Sequence, residues 1–206
     1  ALVGNSLGEA RAVMVEGESG LLACHGAGAR PHYESSLRRL VWPNGAQAWL
    51  FSAGEPESLR GPQHSHAWCD EIGKWDHAGG RAIATWDNLQ LGLRLGEHPR
   101  VLATTTPRSV PLVTRLMQGA DTGGQIVVTR GSTYANAAHL PPRFIAAMRQ
   151  EYGDTALGRQ ELQGELLADV EGALWNRALL ERCRIPVSVD LLVRVVAATI
   201  AQHPRV

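Results

Sequence analysis

Apolar positions along this chain follow two rhythms. One is the alternation of a pleated strand, the other the three-to-four spacing of a helix face. "ALVG" (Ala1–Gly4) reads as a short apolar strand. Leu7, Ala10, Val13 and Met14 then recur at helical spacing, so Leu7–Glu16 is expected to be a helix with Ser6 as its N-cap. "RRLVWPNGAQAWLFSAG" (Arg38–Gly54) reads as two strands joined around Asn44-Gly45, a strong hairpin signal. His66–Cys69 is a short strand that runs straight into Asp70. Ile83, Trp86, Leu89 and Leu93 predict a helix over Ala82–Leu95, and Arg100–Ala103 a strand running into Thr104–Thr106 and Pro107. A helix over Pro111–Met117 and a Val/Ile-rich strand over Gln125–Arg130 follow. Pro141–Tyr152 opens with prolines suited to a first helical turn, Thr155–Leu167 continues as helix, and Leu191–Ala198 is a last apolar strand.

Strands alternating with helices predict an α/β domain with a mainly parallel sheet. Ligands of such sheets sit beyond the carboxyl ends of the strands. Two polar groups lie at such ends: Asp70-Glu71, and Thr104, Thr105 and Thr106. A strand ending in two carboxylates suits nucleotide hydrolysis. The first acid, Asp70, would hold Mg²⁺, which prefers few carboxylates together with phosphate and water oxygens. The second, Glu71, would orient and deprotonate the attacking water. The threonines would bond that water or Glu71 and so sense the nucleotide. Read alone, each group is an ordinary polar turn; their joint position gives them weight. Arg60-Gly61 is a further candidate contact, otherwise a surface turn.

Composition narrows the choices. A chain of 206 residues fits one domain, and 44% hydrophobic content supports a core. Lys+Arg 20 balances Asp+Glu 20, so there is no global basic field to hold nucleic acid. Cys24, Cys69 and Cys183 are odd in number and far apart, which argues against a disulfide framework and fits a reducing cytoplasm. Cys24, His25, His64, His66 and Cys69 match no standard zinc spacing. No apolar run reaches the roughly 20 residues a membrane span needs, and the N-terminus lacks a signal-peptide shape. The six tryptophans suit core packing better than base stacking. Arg81, Arg94, Arg108 and Arg115 would reach DNA phosphates or a neighbouring subunit, or simply line solvated helix faces. Lys74 is the only lysine.

Four stretches carry a resemblance: "ALVGNSLGEARAVMVEGESGLL", "ESLRGPQHSHAWCDEIGKW", "TWDNLQLGLRLGEHPRVLATTTPR" and "YGDTALGRQELQGELLADVEGALW". With them the chain resembles, from Ala1 to about Arg184, the ATPase domain of the large terminase subunit of tailed phages and gene transfer agents. The resemblance implies a three-layer α/β/α P-loop NTPase-like fold (the ASCE class), with Asp70-Glu71 as the Walker B pair and Thr104–Thr106 as the coupling motif. It implies ATP and Mg²⁺ as ligands of the full-length family. Double-stranded DNA, the portal and a small terminase subunit are its implied partners, with self-assembly and a working place in the host cytoplasm. "GRQELQGELL" (Gly158–Leu167) resembles the helix on the linker side of the family's two domains. The organisation expected is an ATPase domain over 1–150, a linker-side helical segment over 151–190, and 191–206 as a truncated nuclease start or aberrant tail.

One half of such a site is missing from these residues. A phosphate-cradling loop has the pattern G-x-x-x-x-G-K-[ST]. Lys74 is followed by Trp75, and "GAGAR" (Gly26–Arg30) has no lysine, so neither fits. The expectation is that the chain starts after that loop, and that Ala1–Gly4 therefore lacks a sheet neighbour and leaves an edge prone to aggregation. The tail from about Ala197 brings no nuclease carboxylate and is expected to be truncated or frame-shifted. The rival expectations are a non-catalytic prophage remnant and a helicase-like P-loop ATPase.

Overall fold

The computed structural model describes residues 1–75, 80–122, 125–167 and 182–183. The chain divides into two units, Ala1–Leu167 and Ala168–Val206, and the architecture below is that of the first. The strand expected over Leu191–Ala198, the tail, and most of the segment 151–190 lie outside the described residues.

The strands are β1 (Leu2–Gly4), β2 (His32–Glu34), β3 (Arg39–Val41), β4 (Gln47–Ser52), β5 (His66–Cys69) and β6 (Arg100–Ala103). They form one six-stranded sheet in the order β2-β3-β4-β1-β5-β6. β1 is parallel to β4 on one side and to β5 on the other, and β5 is parallel to β6. β2, β3 and β4 are antiparallel, so the sheet is mixed, with a parallel half and a hairpin-built half. The hairpin turns at Asn44-Gly45, where Gly45 takes the positive φ (85°) that a side chain resists.

The period-two pattern sends alternate residues to two cores. Leu2, Leu40 and Leu50 face one side with Ala10, Met14 and Val15. Val3, Ala67 and Cys69 face the other with Leu89, Leu112 and Trp75. Helical residues thus cover both faces. On the first face, α1 (Leu7–Glu9) starts at Ser6, whose hydroxyl accepts the Glu9 N–H at 3.2 Å. It continues at once as a π-helical turn over Ala10–Val15, which spaces Arg11 and Glu16 for a paired salt bridge at 2.9 and 3.0 Å. A short α2 (Leu21–Cys24) follows. On the second face lie α3 (Arg81–Gly92) and α4 (Pro111–Asp121). α5 (Pro142–Tyr152) and α6 (Ala156–Glu161) complete the described helices.

Four expectations change. β1 is not short of a neighbour, being hydrogen-bonded on both sides; the sheet edges among the described residues are β2 and β6, and on β6 Leu102 is 64% exposed. Gln125–Arg130 joins no ladder: Val127 is 89% exposed, so its β-branched character finds no partner strand to satisfy it. The helix expected over Thr155–Leu167 is confined to Ala156–Glu161, with Leu162 as its C-cap, and Gly164 beyond it takes a positive φ (70°) that no helix continues through. β2 is an additional strand: its three residues are too short to show a period.

Candidate functional site

Parallel pairing of β5 and β6 sets Cys69 opposite Ala103, so the next residues, Asp70 and Thr104, leave the sheet side by side. The Thr104 N–H donates to the Cys69 carbonyl at 2.9 Å, extending the ladder by one residue. The Thr104 hydroxyl donates to Asp70 Oδ1 at 2.8 Å and accepts the Glu71 N–H at 3.4 Å. Its proton and a lone pair are thereby assigned to the two acids.

Glu71 has left-handed backbone (φ 49°, ψ 52°), a conformation that costs a non-glycine residue about 1–2 kcal/mol. A glycine would take this conformation without that cost. The Glu71 carboxylate accepts the Thr106 N–H at 3.3 Å through Oε2. The turn after it is a 3₁₀ turn, Ile72–Lys74. The Ile72 N–H donates to the Thr104 carbonyl at 3.0 Å, and the Gly73 N–H to the Thr105 hydroxyl at 2.9 Å. Thr105 in turn donates to the Thr106 carbonyl at 2.7 Å. Each of the three threonines therefore holds part of the acidic turn.

Behind the turn, Trp75 is fully buried and its indole N–H donates to the Asp70 carbonyl at 3.0 Å. Cys69 is buried too, and burial pushes its thiol up to about 12, so it is packing and not a nucleophile. Lys74 reaches the other way. Its ammonium donates to Glu9 Oε2 at 2.8 Å, and this bond holds the lysine above its ordinary value. Glu9 Oε1 accepts from the Asn5 side chain at 2.9 Å.

The structure thus brings together Asp70, Glu71, Thr104, Thr105 and Thr106. It does not bring Arg60 to them: that guanidinium pairs with Glu57 at 3.3 Å on the surface. Arg115 likewise pairs with Asp87 at 2.8 Å. Among the described residues no group of three or more His, Cys, Asp or Glu is placed to hold a metal, so the scattered histidines and cysteines make no zinc site there. Sequence reasoning places Trp75 in a core but passes over its bond to the Asp70 carbonyl, and it passes over Gly73 and the structural use of Lys74. The close spacing of "DEIGKW" is a signal for the first two; the Glu9 partner, 65 residues away, leaves none.

No described helix is long and apolar enough to cross a membrane. A family model described as terminase large subunit, T4likevirus-type, N-terminal, matches residues 1–182. No curated protein matches the chain. Among solved structures, the large terminase of a thermophilic bacteriophage superposes with a TM-score of 0.64 at 11% identity, over 81% of this chain and 40% of that one. The same protein in complex with ATP-gamma-S gives a TM-score of 0.63 at 11% identity, over 81% and 39%. Its complex with ADP gives 0.64 at 12% identity, over 81% and 40%. At that identity the likeness establishes the fold, and the chain spans about 40% of the length of the solved relatives it matches. Since the family model covers most of the chain, the protein belongs to the terminase large subunit family, T4likevirus-type, matching its N-terminal part.

Proposed function

We propose that this chain carries the water-activating and coupling half of the ATP-hydrolysing site of a DNA-packaging motor. One observation carries the reading: two adjacent parallel strands end in Asp70-Glu71 and Thr104–Thr106, cross-linked by the Thr104–Asp70 and Thr106–Glu71 hydrogen bonds. In this reading Glu71 orients the attacking water and takes its proton. The Thr106 N–H holds the Glu71 carboxylate until water and phosphate are in place, and the threonines pass the change to β6.

Asp70 fits a magnesium ligand. One of its carboxylate oxygens is taken by Thr104, and no hydrogen bond from the described residues occupies the other. A site with one or two protein carboxylates, and no cage of ligands, is the habit of Mg²⁺. When bound, the ion neutralises charge on the phosphate oxygens. The thermophilic-phage large terminase has been solved with ATP-gamma-S and with ADP, which supports a nucleotide as the ligand here. Residues 1–206 hold no G-x-x-x-x-G-K-[ST], so in this reading the phosphate cradle comes from outside them. Double-stranded DNA, a portal, a small terminase subunit and further copies of this chain are the partners that follow from this reading.

Residues 1–206 alone should bind Mg²⁺-ATP-γ-S weakly, lose that binding in Asp70→Ala, and hydrolyse ATP at background rates. Joined to a phosphate-binding segment they should hydrolyse ATP, with Glu71→Gln lowering the rate at least about 100-fold while nucleotide binding persists. Hydrolysis untouched by Glu71→Gln would overturn the reading.

A further inference from the structure

The turn bearing Asp70 and Glu71 is held from three directions. The threonine segment after β6 holds it through the Ile72 and Gly73 amides, and the core holds it through Trp75. The third hold is Lys74, whose ammonium lies 2.8 Å from Glu9 Oε2 at the end of α1. Glu9 is itself fixed by Asn5 at 2.9 Å and by the Ser6 cap on its N–H at 3.2 Å. Asn5 and Ser6 follow directly on β1, the neighbour of β5 on the side opposite β6. We propose that Lys74 is a positioning residue for the Glu71 carboxylate, acting through Glu9 and the loop after β1. This inference rests on the reading of Glu71 as the water-activating group.

The link from Lys74 to Glu71 is short. The Lys74 N–H donates to the Glu71 carbonyl at 2.8 Å, closing the 3₁₀ turn that begins at Glu71. A left-handed glutamate persists where its surroundings over-determine it. Here the residues after it are held by Thr105 at Gly73 and by Glu9 of α1 at Lys74. The ion pair is about two-fifths exposed on each side, too exposed to add much to global stability. Its effect is local: it fixes the direction in which the turn leaves Glu71. The charged groups that bear on Lys74 besides Glu9 are Glu71 and Arg108, so the acid and the arginine after the threonines share one electrostatic neighbourhood.

Lys74 is the only lysine among the 206 residues, so lysine labelled with ¹³C and ¹⁵N gives one side-chain signal. The decisive measurement is amide exchange at Thr106 and Gly73 in the full 206-residue chain and in Lys74→Met, Glu9→Gln and Lys74→Arg. In the first two variants exchange at both amides should rise about tenfold, with β1 and α3 amides and the thermal midpoint unchanged. Lys74→Arg should restore protection. Unchanged exchange at Thr106 and Gly73, or a uniform rise across the domain, would overturn the proposal. If the variants do not fold, the unmodified chain still decides. As Lys74 loses its proton above the ordinary lysine range, the Glu71 carboxyl ¹³C signal should move with it; a Glu71 signal that stays fixed overturns the proposal. None of these readouts involves nucleotide, so failure of the ATPase reading, seen with Glu71→Gln, is separable from failure of this one.

Discussion

The Thr104 hydroxyl stands 2.8 Å from Asp70 Oδ1, and the same oxygen accepts the Glu71 N–H at 3.4 Å. One side chain just past the end of β6 therefore serves both acidic residues at the end of β5. Thr104→Val keeps the β-branched shape and removes these bonds together with a long contact from the hydroxyl to the Cys69 carbonyl at 3.5 Å. It should lower stability by about 0.5–1.5 kcal/mol, the usual worth of a partly exposed hydrogen bond. The larger effect should be on ligand affinity, because Asp70 loses the group that orients it. Titration calorimetry with Mg²⁺-ATP-γ-S would show a several-fold loss; equal affinity in the variant would argue that Thr104 does not set the position of Asp70.

Gly73 is constrained by what lies against it. A Cβ there would stand 2.6 Å from the Thr105 hydroxyl and 3.1 Å from the Thr106 carbonyl. Neither atom ends a long flexible side chain, so the threonine segment itself would have to move. Gly73→Ala should cost about 1–3 kcal/mol, as overpacking does. Urea denaturation is the check: a lower midpoint at unchanged slope is expected. A midpoint equal to that of the wild type would mean that the threonine segment yields freely and does not clamp the acidic turn.

β6 is hydrogen-bonded to β5 and to no other strand among the described residues, and its Leu102 is 64% exposed. An apolar, unpaired edge is a template for another strand. Sedimentation of the 206-residue chain should therefore show concentration-dependent self-association. Leu102→Lys should reduce it while changing stability by no more than about 0.5 kcal/mol, as surface substitutions do. A wild-type chain that stays monomeric at high concentration would show that this edge is covered or too short to pair.

How much of this was legible in the sequence depended on how local each cause is. The hairpin at Asn44-Gly45, the strand into Asp70 and the Ser6 cap are written within a few residues, and each formed where expected. The pairing of Asp70 with Thr104 could be inferred from two polar groups at strand ends, because parallel strands bring such ends together. Gln125–Arg130 shows the limit of local propensity. Its Ile and Val residues favour a strand, yet strand formation needs a neighbouring edge, and the described residues offer it none. The left-handed backbone of Glu71 was hidden for a related reason. Nothing in "CDEIGKW" demands it; it follows from hydrogen bonds to Thr104, Thr105 and Thr106, more than thirty residues later.

His64 makes stability depend on pH. It is 6% exposed, its ring packs edge-on against Phe51 at 5.4 Å, and its Nε2 has no hydrogen-bond partner among the described residues. Burial lowers its pKa from 6.5 to about 4. The unfolded chain therefore takes up a proton near pH 6.5 that the folded chain refuses until about pH 4. The histidine's contribution is full above pH 6.5 and falls as pH drops toward 4. The loss should be on the order of 2 kcal/mol, since a tenfold difference in proton affinity is worth about 1.4 kcal/mol. Glu16 and Glu34, both held low by arginine partners, add to the loss only from the ordinary carboxylate range downward, and the Ala1 amino group, lowered by burial from 8.0 to about 6, adds to it between those two values, so the interval from about pH 6 to about 5 isolates the histidine. Urea unfolding across that interval should show a falling midpoint in the wild type and a flat one in His64→Leu, which fills the same space without a titrating ring. A slope that survives in His64→Leu would assign the pH dependence to another group.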